Sequence, residues 1–265
     1  MKSNVLASGL GVVLGLTGVV GLADVAVAQA SVVNDRKVEA DGKALQEANR
    51  LLQQGNQQFQ ISQFDAAFKS WQKALKLYRE LKDRLGEGQS LGNLGIAYGS
   101  LGNYPKAIEF LEQRLAIARE LKDRLGEGYA LGNLGSAYYV LGNYPKAIDF
   151  YEQLLGIARE LKDLLGEGSA LGNLGLAYQA LGNYPKAIEF QEQSLAVKRE
   201  IKDRLGEGQS LGNLGNAYYS LGNYPKAIEF QEQRLAIARE IKDRSGEGNA
   251  LNNLGNTYKS LSNYS

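Results

Sequence analysis

Two features of this 265-residue chain could support catalysis: glycine-rich runs and neighbouring carboxylates. The Gly-Glu-Gly run at residues 86–88 resembles a phosphate-binding loop, but no strand precedes it and no Gly-Lys-Ser or Gly-Lys-Thr sequence follows it. Glu120 and Asp123 could form an acid–base pair. Both features recur along the chain, whereas an active site is a single constellation. We therefore expect no catalytic residue, and we interpret the carboxylates as members of the surface i,i+4 pairs Glu120–Arg124 and Arg119–Asp123.

The composition excludes most other chemistry. The chain has no Cys and no His, which rules out disulfides, thiolate and imidazole metal sites, and nucleophiles that depend on a Cys–His or Ser–His pair. Its 30 basic and 29 acidic residues give a net charge of +1, which is too small to attract a polyanion. We therefore expect no metal, no cofactor and no nucleic acid partner, and we expect binding rather than catalysis.

The N-terminus has the pattern of an export signal. Lys2 precedes an uncharged, mostly apolar run from Ser3 to Ala23, and a small-residue cleavage sequence ends at Ala30. We interpret residues 1–30 as a signal peptide, so that the mature protein is periplasmic or extracellular and makes no membrane contact after cleavage. The alternative is a retained membrane helix, because Val5 to Leu22 is just long enough to span a bilayer.

The rest of the chain is built from a forty-residue repeat. The blocks 88–127 and 208–247 differ at only five positions, and self-similarity of this period is typical of solenoids. After a polar linker at residues 31–43, we expect a repeat array over residues 44–265. Its units are residues 48–87, 88–127, 128–167, 168–207 and 208–247, followed by a lone helix at 248–261. That last helix is more polar than its counterparts, and it is either a solvating cap or an interrupted repeat.

Each unit has the pattern of a helical hairpin. Apolar residues at helical spacing, Leu91, Leu94, Tyr98 and Leu101, define a first helix that Gly102 ends. In the second helix, Asn103 is the expected N-cap and Pro105 lies in the first turn. The glycine at position 95 is expected to let two helices approach closely. No stretch alternates apolar and polar residues for long enough to form a strand, so the fold class is all-α.

The repeated residues resemble those of the tetratricopeptide repeat, in the forty-residue variety found in kinesin light chain, in the Leu-Gly-Asn repeat proteins and in secreted bacterial arrays. The positions that carry the resemblance are Leu94, Gly95, Tyr98, Leu101, Gly102, Tyr104, Ala107 and Leu115. The resemblance implies a right-handed superhelical solenoid of antiparallel helix hairpins, with a concave groove lined by the first helices. Arg114 and Arg234 depart from it, because the family usually has a small residue there.

The candidate binding residues lie on the first helices, away from the apolar stripe. We call equivalent positions in successive repeats a column. One column is asparagine in each repeat from residue 88 onward, and its amide can both donate to and accept from an extended peptide main chain. The residues in neighbouring columns vary between repeats. The candidate peptide-binding residues are Asn93, Asn133, Asn173, Asn213, Asn253, Tyr129, Tyr139, Gln179, Tyr219 and Lys259. Alternatively, the asparagines are polar surface residues copied by duplication.

The leading functional hypothesis is a non-enzymatic protein–protein interaction scaffold that binds an extended peptide or partner segment in this groove. Two alternatives remain at this point. The chain is the sensor or docking part of a larger secreted enzyme, such as a caspase-like protease, or it is an architectural spacer that associates with itself.

Overall fold

The computed structural model describes residues 17–262, with side chains from residue 37 onward. Within that part, all regular secondary structure is α-helical. The helices are α1 (Thr17–Gln60), α2 (Phe64–Leu81), α3 (Arg84–Ser100), α4 (Tyr104–Leu121), α5 (Arg124–Val140), α6 (Tyr144–Leu161), α7 (Leu164–Ala180), α8 (Tyr184–Glu200), α9 (Arg204–Ser220), α10 (Tyr224–Glu240) and α11 (Arg244–Ser262).

The chain divides into two units, residues 1–47 and residues 48–265. In the first unit the described residues belong to α1, and the segment 31–43, expected to be a linker, is helical. Of the proposed signal peptide, residues 1–16 lie outside the described residues. None of the helices within residues 17–262 has the length and apolar character needed to cross a membrane.

The second unit is a stack of antiparallel helix hairpins, which confirms the predicted fold class. Consecutive helices pack along the chain from α2 to α11. The second helices begin as expected: the side chain of Asn103 accepts a hydrogen bond from the backbone N–H of Lys106 at 3.3 Å, and Pro105 lies in the first turn. Gly102 has a φ of +76°, a left-handed conformation that glycine adopts without steric cost and that ends α3.

From α3 onward, each first helix begins four residues before the predicted repeat unit does. For example, α3 begins at Arg84, whereas the predicted unit begins at residue 88. Asp83 is the N-cap of α3, and its carboxylate accepts from the backbone N–H of Gly86 at 3.0 Å. The preceding Lys82 is left-handed, with a φ of 57°, and ends α2. The same pattern precedes α5, α7 and α9. Because these aspartates cap a new helix, the expected pairs Glu120–Arg124 and Arg119–Asp123 do not share one helix.

The charged side chains form pairs between helices instead. Glu120 contacts Arg84 of the preceding helix at 2.6 Å, and Arg119 contacts Glu127 of the following helix at 2.8 Å. The hydrogen bond from Arg84 lowers the pKa of the Glu120 carboxyl. These pairs correct the i,i+4 interpretation: Arg84–Glu120 joins the two helices of one hairpin, and Arg119–Glu127 ties that hairpin to the next.

The core lies between successive hairpins. Leu91 and Leu94 of α3 are fully buried, and they pack with Ala67 and Trp71 of α2. Leu101, the last residue of the predicted apolar stripe, is 54% exposed because it lies at the C-terminal cap of α3. The close approach expected at Gly95 is confirmed, since a Cβ there would lie 2.7 Å from Cγ of Leu111 in α4.

Candidate functional site

The first helices line a groove formed by two adjoining cavities in the second unit. A cavity of about 430 Å³ extends over α3, α5 and the C-terminal end of α1, and a cavity of about 260 Å³ continues it along α3 and α5. Ile96, Leu111 and Asn133 line both cavities. We call this continuous depression the first-helix groove. It brings together three of the predicted binding residues, Asn93, Tyr129 and Asn133.

The groove combines exposed apolar surface with fixed amides. The ring of Tyr129 is 66% exposed, and Ile96 and Val140 are also exposed. Nδ2 of Asn93 donates to Oδ1 of Asn56 at 2.8 Å, and Nδ2 of Asn133 donates to the main-chain oxygen of Tyr129 at the same distance. Each contact uses one N–H and orients the amide, so Oδ1 and the second N–H stay available to a ligand.

A smaller cavity of about 90 Å³ lies near the end of the array. Asn253, Tyr219 and Asn216 line it. Nδ2 of Asn253 donates to Oδ1 of Asn216 at 2.9 Å, which repeats the arrangement at Asn93. The hydroxyl of Tyr219 lies 3.0 Å from Oγ of Ser260.

The structure does not gather the remaining predicted residues into these three cavities. The half-buried side chains of Asn173 and Asn213 make no hydrogen bond within the described part of the chain. Oε1 of Gln179 is buried and has no hydrogen-bond partner among residues 37–262. Tyr139 packs against Tyr144 with ring centroids 5.4 Å apart, and burial raises the pKa of its hydroxyl. Lys259 is exposed on α11.

Sequence reasoning missed a set of basic side chains that pack between hairpins, two of them buried. Arg114 of α4 is 8% exposed, and its Nη2 donates to Oδ2 of Asp123 at 2.7 Å. The space for it comes from glycines, because a Cβ at Gly88 would lie 2.5 Å from Nη1 of Arg114 and a Cβ at Gly126 would lie closer still to Nη2. The available signal in the sequence was that repeated glycines occur in the same units as Arg114 and Arg234. It explains how an arginine fits where the family usually has a small residue.

Two further hairpins hold a cation in the equivalent place. Nζ of Lys198 lies 3.1 Å from Oδ2 of Asp203. The pKa of the Asp203 carboxyl is lowered, chiefly by the hydrogen bond from the backbone N–H of Gly206. Arg234 lies beside Asp243, and burial lowers the pKa of its guanidinium. We call each such space, between a second helix and the aspartate that caps the following helix, a cation slot.

Within residues 17–262, no three acidic side chains come close enough together to hold a metal ion.

Comparisons with known proteins agree with this architecture. A family model for the tetratricopeptide repeat matches residues 47–120, 126–200, 167–240 and 206–265. The crystal structure of the putative kinesin light chain nearly identical TPR-like repeats of Podosopora anserina is 22% identical, with a TM-score of 0.64 over 74% of this chain and 96% of that one. The apo form of RapI is 16% identical, with a TM-score of 0.74 over 82% of this chain and 84% of that one.

A third similar structure contains a ligand. The Rap protein complexed with Competence and Sporulation Factor is 18% identical, with a TM-score of 0.64 over 82% of this chain and 64% of that one. Identities this low establish a shared fold and nothing further. No curated protein matches the chain.

Proposed function

Because this chain belongs to the tetratricopeptide repeat family, we propose that it is a non-enzymatic protein–protein interaction scaffold that binds an extended peptide segment of a partner. The observation that carries the proposal is the first-helix groove, whose two cavities share Ile96, Leu111 and Asn133. A continuous groove over consecutive repeats suits an extended chain better than a compact ligand. The complex of a Rap protein with Competence and Sporulation Factor supports the proposal by showing that one array of similar fold holds a ligand.

The chemistry of the groove suits a peptide main chain. Peptide units present one donor and one acceptor per residue, and the amides of Asn93 and Asn133 offer both while their own contacts fix their orientation. The exposed ring of Tyr129 and the side chain of Ile96 supply apolar surface for alternate side chains of the ligand. Main-chain recognition by the asparagines would leave sequence selection to these variable neighbours.

The test is selection of random displayed peptides against the full chain, followed by fluorescence anisotropy with the selected peptides. Asn133→Ala should weaken binding about three- to tenfold, since a net hydrogen bond contributes about 0.5–1.5 kcal/mol. Tyr129→Ala should weaken it by a similar factor or more, because aromatic anchors carry much of the energy of an interface. Glu152→Ala, an exposed change on α6 that lies outside the groove, is the matched control.

The proposal fails under either of two results. One is that no peptide is selected against the folded protein. The other is that Glu152→Ala weakens binding as much as Asn133→Ala does, which would place the peptide outside the groove.

We also propose that the protein acts outside the cytoplasm after loss of residues 1–30. Lys2, the apolar run after it and the small residues that end at Ala30 support this proposal. Mass spectrometry of the protein recovered from the periplasm or the medium should give Ser31 as the first residue. Recovery of the uncleaved chain in the membrane fraction would instead support a retained anchor.

A further inference from the structure

Among the described residues, two cation slots hold no cation. In the slot before Asp83 the ring of Tyr78 takes the space, since a Cβ on Gly86 would lie 2.3 Å from it. The other slot is open. Between α5, α6 and α7, Leu154 stands at the position of Arg114 and Arg234, and Ala158 stands at the position of Lys198. No basic side chain pairs with the capping aspartate of this slot, Asp163, among the described residues. Asp163 is exposed, whereas the equivalent aspartates of the filled slots are half-buried.

The slot is open rather than collapsed. It forms a cavity of about 300 Å³, whose lining includes Gly128, Leu154, Ile157, Ala158, Asp163 and Gly166. The equivalent space around Arg234 is lined by the corresponding residues of α9, α10 and α11, and its volume is only about 10 Å³. The open cavity is also wider, because its lining extends to Gly132, Asn133 and Ser169, whose equivalents do not line the space around Arg234.

The glycines that make room for an arginine remain in the open slot. Gly128 and Gly166 correspond to Gly88 and Gly126, the two glycines that surround the guanidinium of Arg114. Leu154 and Ile157 lie beside Gly128, since a Cβ there would be 3.5 Å from each, an ordinary contact distance, whereas a Cβ on Gly88 would lie 2.5 Å from Arg114. The two glycines of a filled slot are thus both present in a slot to which the second helix, α6, supplies no arginine.

The charge around the slot is mixed. Arg124 also lines the cavity, but its guanidinium is paired with Glu127 and Glu160 and not with Asp163. Leu164 follows Asp163 and replaces the arginine that, at positions 84, 124 and 204, pairs with a glutamate of the next second helix. Glu200, the glutamate of this hairpin, consequently has no ion pair within residues 37–262. Asp163 and Glu200, both of the α7–α8 hairpin, thus lack the basic partners that their counterparts have, and of the two only Asp163 lines the slot.

We propose that the open slot binds an arginine side chain of the partner segment held in the first-helix groove, an inference that rests on the proposed function. Tyr129 and Asn133 line both the slot and the larger groove cavity, so a ligand in the groove passes the mouth of the slot. The guanidinium of the ligand's arginine donates to Oδ2 of Asp163. The other carboxylate oxygen, Oδ1, already accepts from the backbone N–H of Gly166 at 3.0 Å. Leu154 and Ile157 contact the aliphatic stem, and the exposed ring of Tyr129 offers a face to the cation.

The first test uses a small probe and does not depend on any peptide. N-acetyl-arginine amide is titrated into the ¹⁵N-labelled full chain, and N-acetyl-citrulline amide, which has nearly the same shape and no charge, is the control ligand. We expect the arginine compound to shift the backbone amide signals of Gly128, Gly132 and Gly166, and the citrulline compound to leave them in place. A lysine derivative should bind more weakly, because its ammonium lacks the planar fork of the guanidinium.

Two protein variants locate the site. Leu154→Arg should abolish the shifts, because the chain then fills the slot as it does at Arg114 and Arg234. Asp163→Asn should also abolish them, and asparagine remains a good N-cap, so α7 stays folded. Asp203→Asn, at a slot that Lys198 already fills, should leave the shifts unchanged. Circular dichroism of all three variants checks that helical content is preserved.

The second test uses the selected peptides. Replacing their arginine by citrulline should weaken binding at least about tenfold, the factor expected for a hydrogen-bonded charge. If peptides bind and this replacement changes nothing, the slot inference is overturned and the groove stands. If no peptide binds but the arginine probe shifts the three glycines, the slot stands and the peptide-scaffold proposal fails. If the probe shifts nothing, or shifts the wild-type and Leu154→Arg proteins alike, the slot does not bind arginine.

Discussion

The same substitution at equivalent positions of two repeats should have different effects on stability. Gly95 and Gly255 occupy equivalent positions in first helices. A Cβ at Gly95 would lie 2.7 Å from Cγ of Leu111 and 3.3 Å from the backbone oxygen of Ala107, whereas a Cβ at Gly255 would have no atom within 4 Å. Gly95→Ala and Gly255→Ala therefore add the same methyl group to a packed and to an open helix face.

The magnitude follows from two terms. Alanine is favoured over glycine inside a helix by about 1 kcal/mol, and this gain applies equally at both positions. Gly255→Ala should therefore stabilise α11 by about 1 kcal/mol. At Gly95 the methyl group meets Leu111, which is almost fully buried, and overpacking of a core costs about 1–3 kcal/mol. The two variants should differ by that packing cost, and Gly95→Ala should be neutral to destabilising by about 2 kcal/mol.

Urea unfolding followed by circular dichroism measures the effect of Gly95→Ala, since residue 95 lies inside the array. Gly255→Ala is measured by hydrogen exchange of the α11 amides, a readout local to that helix, which should slow about fivefold for about 1 kcal/mol. Gly92→Ala is the matched control within α3: its Cβ would lie 3.6 Å from Arg114, an ordinary contact, so it should stabilise. If Gly95→Ala stabilised the protein as much as Gly92→Ala does, the close approach of α3 and α4 would be refuted.

Four further outcomes are expected. Asp123→Ala and Asp163→Ala each remove a helix cap and should cost about 1 kcal/mol, but Asp123→Ala also leaves Arg114 buried without its carboxylate and should cost about 3 kcal/mol in total, as measured by urea unfolding. Leu164→Arg should restore the missing pair with Glu200 and stabilise by about 0.5 kcal/mol at low salt, a gain that 1 M NaCl should remove. Arg114→Leu should open a second slot, so that the arginine probe also shifts the amides of Gly88 and Gly126; a folded variant without these shifts would contradict the assignment of the slot. With no His and no Cys, unfolding stability should stay flat from about pH 6 to 9, and a slope there would contradict the reasoning.

The sign of the remaining pH dependence follows from the shifted groups. The pKa of the Asp203 carboxyl is lowered on folding from its ordinary value of 3.8, so its stabilisation is present above that pH and is lost as the pH falls through the folded-state pKa. The pKa of Tyr151 is raised from 10.0 by burial, so stability is lost as the pH rises through the folded-state pKa, above 10. Thermal unfolding measured from pH 2 to 11 should show both losses.

Local chemistry was enough to predict the hairpin. Gly102, Asn103 and Pro105 each impose a conformation or a capping bond within a few residues, and the period of the apolar residues distinguishes helix from strand. The first helices begin at the residue after Asp83 and its equivalents, and Lys82 before it takes a left-handed conformation although it is not glycine. The residues around Asn93 and Asn133 could be placed on one face from periodicity alone.

Only the tertiary structure decided which of those residues share a cavity and where the chain leaves space. The sequence by itself determined an all-helical repeat array, its caps and the face that bears the asparagines, because these depend on contacts a few residues apart. The filled and open cation slots depend on side chains from three helices, such as Arg114 between Gly88 of α3 and Asp123 before α5. Their volumes, about 10 Å³ around Arg234 and about 300 Å³ around Leu154, are set by how these helices pack.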